Sequence, residues 1–164
     1  MNDALIKSWI EGRLPLARVK GWSPNEIQMM MILGFTLHEQ GRSEEAAIVF
    51  EGLLSLDPKN AYCHSALGAA YLRLDEDEKA LYHLNMALQL DSRDISAYIN
   101  RAELFMKQQN YKQAQVDLEM AIKLGLSTGA RNEAIRRAQG LLITAKRLQA
   151  NDLAEKSFKN FSVI

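Results

Sequence analysis

Small and large apolar residues recur along this chain every 34 positions. Alanine returns at one position of the repeat and a large apolar residue returns four positions later, in the series Ala46, Ala80, Ala114 and Phe50, Leu84, Leu118. Leu33-Gly34 returns as Leu67-Gly68 and, more loosely, as Arg101-Ala102. A fixed period of this length is typical of stacked helical hairpins, whose small residues let two helices pack closely. The pattern predicts an all-α fold of repeated hairpins.

Capping residues predict where the helices begin and end. Ser23 and Glu26 form a capping box with Pro24 at the first helical position, and Gly41 can take the left-handed conformation after that helix. Pro58 ends the first unit, because the residue before a proline is pushed out of the helical region. The residues expected to cap the later helices are Ser43, Asn60, Asp75 with Glu78, Asp94, and Asn110 with Gln113.

These boundaries divide the chain into four parts. An N-terminal helical segment (1–22) precedes three hairpins within 23–128, a capping helix (129–150) and a C-terminal tail (151–164), the hairpin units being 27–60, 61–94 and 95–128. The capping helix is predicted from apolar residues at three- and four-residue spacing, among them Ile135, Ala138 and Leu142. Such a helix is expected to cover the exposed face of the last hairpin.

A two-helix unit of 34 residues resembles the tetratricopeptide repeat, or TPR. The resemblance implies three hairpins in a right-handed superhelix whose inner groove holds a peptide or protein. In TPR units the first helix turns its second, fifth, ninth, twelfth and thirteenth residues toward that groove. The groove residues implied here are Gln28, Met31, Phe35, His38, Tyr62, Ser65, Ala69, Leu72, Arg73, Ile99, Glu103 and Met106. Some of them can instead be core residues, because helix faces drift in register.

The apolar character of these positions indicates what the groove accepts. TPR domains that grip a C-terminal carboxylate place Lys, Asn and Arg at the fifth, sixth and ninth positions, whereas this chain has Met31 and Phe35, then Ser65 and Ala69, at the fifth and ninth. A groove lined by Met, Phe, Tyr, Leu and Ile suits the apolar side chains of an extended peptide. The carboxylate clamp is therefore not expected.

The layout and several local strings resemble the class II chaperones of type III secretion, which escort translocator proteins. The strings are Met31-Ile32-Leu33-Gly34-Phe35, Ala66-Leu67-Gly68-Ala69 and Arg101-Ala102-Glu103-Leu104. The resemblance implies a chaperone that binds an extended apolar stretch near the N-terminus of a secreted translocator or effector and keeps it from aggregating. A structural TPR adaptor or a regulator within a bacterial assembly is the alternative.

An apolar stripe near the N-terminus needs a partner. Leu5, Ile6, Trp9 and Ile10 line one side of a helix that ends at Gly12. Isolated helices this short are marginal in water. The stripe is expected to pack either on the first hairpin or on a second copy of the chain, and a symmetric homodimer is the common solution.

Charge is unevenly spread along a chain whose formal net charge is zero. Residues 27–128 hold nine Lys and Arg against fourteen Asp and Glu, which argues against a nucleic-acid groove. Residues 129–164 hold seven against three. The basic residues there, Arg131, Arg136, Arg137, Lys146 and Arg147, form either a solvated helix face or a basic patch.

Residues with catalytic or metal-binding chemistry show no site-forming pattern. His38, His64 and His83 share no ligand spacing with each other or with Cys63, which is expected to pack as a small hydrophobe. We therefore expect no enzyme activity, no metal and no cofactor. No segment approaches the roughly 20 apolar residues that span a bilayer. The protein is expected to be cytoplasmic.

Overall fold

The computed structural model of the 164-residue chain describes residues 22–127 and 133–161, and the side chains among them up to residue 154. These residues form helices and no strand. The helices are α1 (Pro24–Glu39), α2 (Ser43–Leu56), α3 (Ala61–Arg73), α4 (Asp77–Leu90), α5 (Ile95–Lys107), α6 (Tyr111–Ser127) and α7 (Glu133–Phe161). The residues predicted to mediate dimerisation, Leu5, Ile6, Trp9 and Ile10, lie outside the described residues.

The chain divides into two compact units, Met1–Ser92 and Arg93–Ile164. The first unit contains the hairpins α1–α2 and α3–α4, and α2 also packs on α3. The second unit contains the hairpin α5–α6, with α7 packed on α6 and touching α5. Six of the seven helices thus pair as the predicted hairpins.

Four of the predicted N-terminal caps form as expected, among them Asn110, whose side-chain oxygen accepts a hydrogen bond from the Gln113 N–H at 3.4 Å. The Ser23 hydroxyl accepts a hydrogen bond from the Glu26 backbone N–H at 3.3 Å, and the Glu26 carboxylate accepts one from the Ser23 N–H at 2.8 Å. Asn60 caps α3 by accepting from the third residue after it at 3.0 Å, and Asp94 caps α5 in the same way at 2.9 Å. Each bond satisfies a backbone donor that the first helical turn leaves unpaired.

Two other predicted caps are wrong. Ser43 is the first residue of α2 rather than its cap, and Arg42 before it makes no side-chain cap bond. Asp75 does not cap α4, because it ends the preceding helix in the left-handed conformation (φ +59°). The N–H of Glu76 then donates to the carbonyl of Tyr71 at 3.0 Å, which is the six-to-one bond of a Schellman turn.

The small residues of the repeat lie where two helices approach closely, as predicted. Gly34 and Gly68 are buried, and a Cβ atom added to Gly34 would lie 2.8 Å from the Phe50 ring. A Cβ atom added to Gly68 would lie 2.6 Å from Cγ of Leu84. The recurring residues of the second helices are all fully buried, namely Ala46, Ala80, Ala114, Phe50, Leu84 and Leu118.

The last two helices are longer than predicted. Gly125, expected to end the third hairpin, is buried inside α6, where it makes room for Ile135 of α7. The helix α7 has 29 residues and continues to Phe161 instead of ending near residue 150. Ala138 and Ala145 of α7 join the buried core formed with α5 and α6. The apolar spacing that predicted α7 ends before the helix does.

Candidate peptide-binding face

The predicted groove residues of α1 are all at least partly exposed, and two of the four are apolar. The Phe35 side chain is 51% exposed, Gln28 is exposed, and Met31 and His38 are partly buried. Two further apolar side chains that the TPR positions do not include, Met29 and Ile32, are also exposed on this helix. The three-residue spacing of Met29 and Ile32 in the sequence indicates that they share one side of the helix.

The neighbouring helix α3 continues this surface. The Tyr62 side chain is 45% exposed and its ring meets the Phe50 ring edge-on, with centroids 6.3 Å apart. Ala69 and Leu72 are partly buried, whereas Ser65 is buried. We call Met31, Phe35, Tyr62 and Leu72 the first-helix face, because they lie on the first helices of two adjacent hairpins, α1 and α3, which contact each other.

A hydrogen bond at the end of α3 fixes the rim of the first-helix face. Nη1 of Arg73 donates to the backbone carbonyl of His38 at 2.6 Å, which ties the C-terminal ends of α1 and α3 together. Among the described residues, Nδ1 of His38 is buried without a hydrogen-bond partner. Burial, and secondly the positive charge of Arg73, lower the pKa of His38. The rim therefore carries one fixed cation beside a neutral imidazole at neutral pH.

At the predicted groove positions of the second unit, the apolar side chains are less exposed than expected. Ile99 is only 2% exposed and belongs to the core cluster, and Met106 packs against the same cluster. Glu103 is partly buried, and both of its carboxylate oxygens accept hydrogen bonds from Arg137 of α7, at 2.7 and 2.8 Å. The predicted positions in this unit are thus occupied by packing within the unit.

A buried ion pair in this unit escaped the sequence reasoning. The guanidinium of Arg101 donates to both carboxylate oxygens of Asp117 at 2.7 Å, which joins α5 to α6. The same guanidinium lies over the rings of Tyr98 and Phe105. The clue was the arginine itself, which stands where the other two repeats have Leu33 and Leu67.

The basic residues of α7 are exposed, and two of them pair with carboxylates. Arg137 bonds to Glu103, and Nζ of Lys146 lies 3.2 Å from Glu119. Arg136 and Arg147 are exposed as well, while Arg131 lies outside the described residues. The pairing favours a solvated helix face over a basic patch for binding.

Groups with reactive chemistry do not gather into a metal centre. Among the side chains described for residues 22–127 and 133–154, no three of His, Cys, Asp or Glu are placed to hold a metal ion. Burial raises the pKa of the Cys63 thiol to about 12, so the thiol is protonated at neutral pH. No helix in the described part of the chain is long and apolar enough to cross a membrane.

The hairpins define the class of fold. A family model for the tetratricopeptide repeat matches residues 27–60 and 95–124. The first match coincides with α1 and α2, and the second with α5 and most of α6. Two of the three predicted repeats thus match the tetratricopeptide repeat, as the 34-residue period predicted.

Known proteins resemble part of this chain in sequence. The chain is 33% identical over 105 residues to the DnaJ homolog subfamily C member 7 homolog of Dictyostelium discoideum, which covers 61% of this chain and 20% of that protein. The chain spans a fifth or less of the length of the curated relatives it matches.

Two solved structures are similar over most of the chain. PcrH in complex with the chaperone binding region of PopD has a TM-score of 0.71 and 22% identity, over 79% of this chain and 97% of that one. The type III secretion translocator chaperone SycD of Yersinia enterocolitica has a TM-score of 0.71 and 20% identity, over 82% and 92%. The chain therefore resembles the translocator chaperones in fold.

Proposed function

We propose that this protein is a non-catalytic cytoplasmic chaperone that holds an extended apolar segment of a secreted translocator-type protein against its first-helix face. The observation that carries the proposal is the exposure of Phe35 and Tyr62 on two adjacent first helices, beside the partly buried Met31 and Leu72. Apolar side chains in contact on a folded protein's surface are typical of a binding site.

An extended segment is the occupant that we propose for the first-helix face. Ala69 is small and partly buried on α3, so it takes up little of the surface that a peptide side chain would cover. Burying apolar surface contributes roughly 25 cal/mol per Å² to binding, before the cost of ordering the peptide is subtracted. Arg73, held by the carbonyl of His38, offers its remaining N–H donors to peptide carbonyls at the rim.

The fold of PcrH, solved with the chaperone binding region of PopD, supports this use of the face. By analogy, the bound segment would otherwise expose apolar side chains that promote aggregation. Ile99, Glu103 and Met106 contribute little in this proposal, because the core and Arg137 occupy them.

A double charge substitution tests the proposal. Phe35→Glu with Leu72→Glu places two carboxylates where an apolar peptide must lie, so affinity for the co-purifying cargo should fall at least tenfold. Gln89→Glu with Gln113→Glu adds the same charge at exposed polar positions and should leave affinity unchanged. Calorimetry measures both variants, and circular dichroism verifies that each stays helical. Equal affinity of the two variants would contradict the proposal.

A second candidate function rests on the other helices. Ile48, Tyr82 and Val116 stand 34 residues apart, on α2, α4 and α6, and their side chains are 38%, 59% and 53% exposed. An exposed apolar side chain at the same position in the second helix of each hairpin favours an adaptor that binds assembly subunits through those helices. If Tyr82→Glu with Val116→Glu abolished binding while the Phe35 and Leu72 variant did not, this adaptor function would replace the chaperone.

A further inference from the structure

Two histidines meet inside the second hairpin. Nδ1 of His64 on α3 lies 2.9 Å from Nδ1 of His83 on α4, and the two rings are 5.1 Å apart between centroids. His64 is buried and His83 is partly buried. The first-helix face uses neither residue. A nitrogen-to-nitrogen distance of 2.9 Å is a hydrogen bond, so one hydrogen lies between the two rings.

The backbone of Pro58 decides which ring donates that hydrogen. Its carbonyl oxygen lies 3.1 Å from Nε2 of His64 and can only accept, so Nε2 of His64 carries a hydrogen. In the neutral ring, Nδ1 of His64 is then the acceptor, and Nδ1 of His83 is the donor. Two nitrogens of the neutral pair carry no hydrogen: Nδ1 of His64, which accepts from His83, and Nε2 of His83.

This arrangement accommodates one additional proton and no more. With one additional proton on the pair, both Nε2 atoms carry a hydrogen, one hydrogen remains between the two Nδ1 atoms, and the bond between the rings survives. A second additional proton would have to enter the gap between the two Nδ1 atoms, which lie 2.9 Å apart and already hold a hydrogen. Two hydrogens cannot share that gap, and two imidazolium cations in contact repel each other.

The surroundings of the pair are mostly aromatic. The Tyr71 ring stacks on His83 with centroids 5.7 Å apart, and the Tyr82 ring meets His83 edge-on at 5.0 Å. The charges nearby contact Tyr71 rather than an imidazole, since Nζ of Lys79 lies over its ring and the Glu51 carboxylate accepts from its hydroxyl. Asp57 acts electrostatically on Cys63, the neighbour of His64 in the sequence, and Glu76 acts on Tyr71 and pairs with Lys79.

We propose that the His64–His83 pair is a proton-sensitive latch that ties α3 to α4 while it holds at most one additional proton, and that acidification releases the hairpin. Acid favours the open hairpin because the closed pair excludes a second additional proton. Because α3 also carries Tyr62, Leu72 and Arg73, release of the latch loosens the first-helix face. The latch acts on the hairpin whether or not that face binds a peptide.

The pKa of His83 gives the pH window. Burial first, and secondly the neighbouring His64, lower the pKa of His83 from 6.5 to about 4. The folded state therefore holds fewer protons than the unfolded chain. The contribution of His83 to the free energy of unfolding is therefore fully present above pH 6.5 and is lost as the pH falls toward 4.

The test compares the intact chain with His83→Asn, whose amide N–H can still donate to His64 but does not titrate. Between pH 6 and pH 5, the unfolding equilibrium constant of the intact chain should rise about sevenfold more than that of the variant. The control is His38→Asn, which removes a histidine outside the pair. The contribution of His83 to the pH dependence of the unfolding equilibrium constant should persist in that variant. Equal pH dependence of the intact chain and His83→Asn would overturn the latch.

Ring ¹⁵N chemical shifts provide a second measurement that needs no variant. At pH 7.5, His64 should be the Nε2–H tautomer and His83 the rarer Nδ1–H tautomer. Two Nε2–H tautomers that titrate independently near pH 6.5 would show that the rings share no hydrogen and would overturn the proposal.

Discussion

At the scale of single residues, local chemistry decides which sequence-based expectations succeed. Ser23, Asn60 and Asp94 cap their helices as predicted, because a cap depends on a side chain and a backbone N–H only two or three residues away. The burial of Ser65 and Ile99 could not be predicted from such local contacts. Whether such a residue faces solvent depends on how its helix is rotated against its neighbours, and a single helix does not determine that rotation.

Two glycines should respond oppositely to the same substitution. Gly68→Leu drives a side chain into Leu84 at a closely packed contact and should lower the free energy of unfolding by about 1–3 kcal/mol. Gly140 lies exposed within α7, and an added Cβ there has no atom within 4 Å. Gly140→Leu should therefore raise the free energy of unfolding by about 0.5–1 kcal/mol, because leucine has a higher helix propensity than glycine. Urea unfolding measures both, and a Gly68→Leu protein as stable as the parent would disprove the close approach.

Cys63 should react only after unfolding. The thiol is buried, its pKa is raised to about 12, and it is the chain's single cysteine. At pH 8 a disulfide reagent such as Ellman's should release almost no chromophore from the folded protein within minutes and one equivalent in denaturant. Rapid release from the folded protein would mean that the thiol is accessible.

At the scale of helices and turns, the repeat is more regular than its sequence. The turn after each first helix has one residue in the left-handed conformation, namely Gly41, Asp75 and Gln109, spaced 34 apart. Only the first is glycine, so the sequence predicted only the first turn and assigned Asp75 to a cap. In each turn the next residue donates its N–H to a carbonyl five residues earlier, which compensates for the strained conformation.

The ion pair of Arg101 and Asp117 occupies positions where the first repeat has the apolar residues Leu33 and Val49 and the second repeat has Leu67 and His83. Asp117→Val would leave a mostly buried guanidinium without its carboxylate and should lower the free energy of unfolding by about 2–4 kcal/mol. Arg101→Leu with Asp117→Val copies the first repeat and should recover most of that loss. Urea unfolding of the three proteins checks this, and a double variant less stable than Asp117→Val would contradict it.

At the scale of the whole molecule, the period predicted the hairpins but not their division into two compact units. The 34-residue spacing continues across Ser92 and Arg93 without a gap, so the sequence shows no boundary there. The first-helix face lies wholly within the first unit. Peptide binding by that face therefore requires only α1 and α3, with α2 and α4 packed behind them.

Self-association remains a prediction from the N-terminal stripe. If Trp9 and its apolar neighbours pair with a second copy, light scattering at tens of micromolar should give the mass of a dimer for the intact chain. Trp9→Asp should give the mass of a monomer, because a carboxylate is costly in an apolar contact. A monomeric intact chain would assign the stripe to its own first hairpin instead.

Site-specific photo-crosslinking to the cargo tests whether the first-helix face holds a peptide. A benzophenone side chain placed at Phe35 replaces one exposed aromatic ring with another on the first-helix face, and the same group at Tyr82 provides a matched position on a second helix. If the first-helix face binds the cargo, the group at position 35 should form a covalent adduct with an apolar segment of the cargo, and the group at position 82 should form none. An adduct from position 82 alone would contradict peptide binding by the first-helix face.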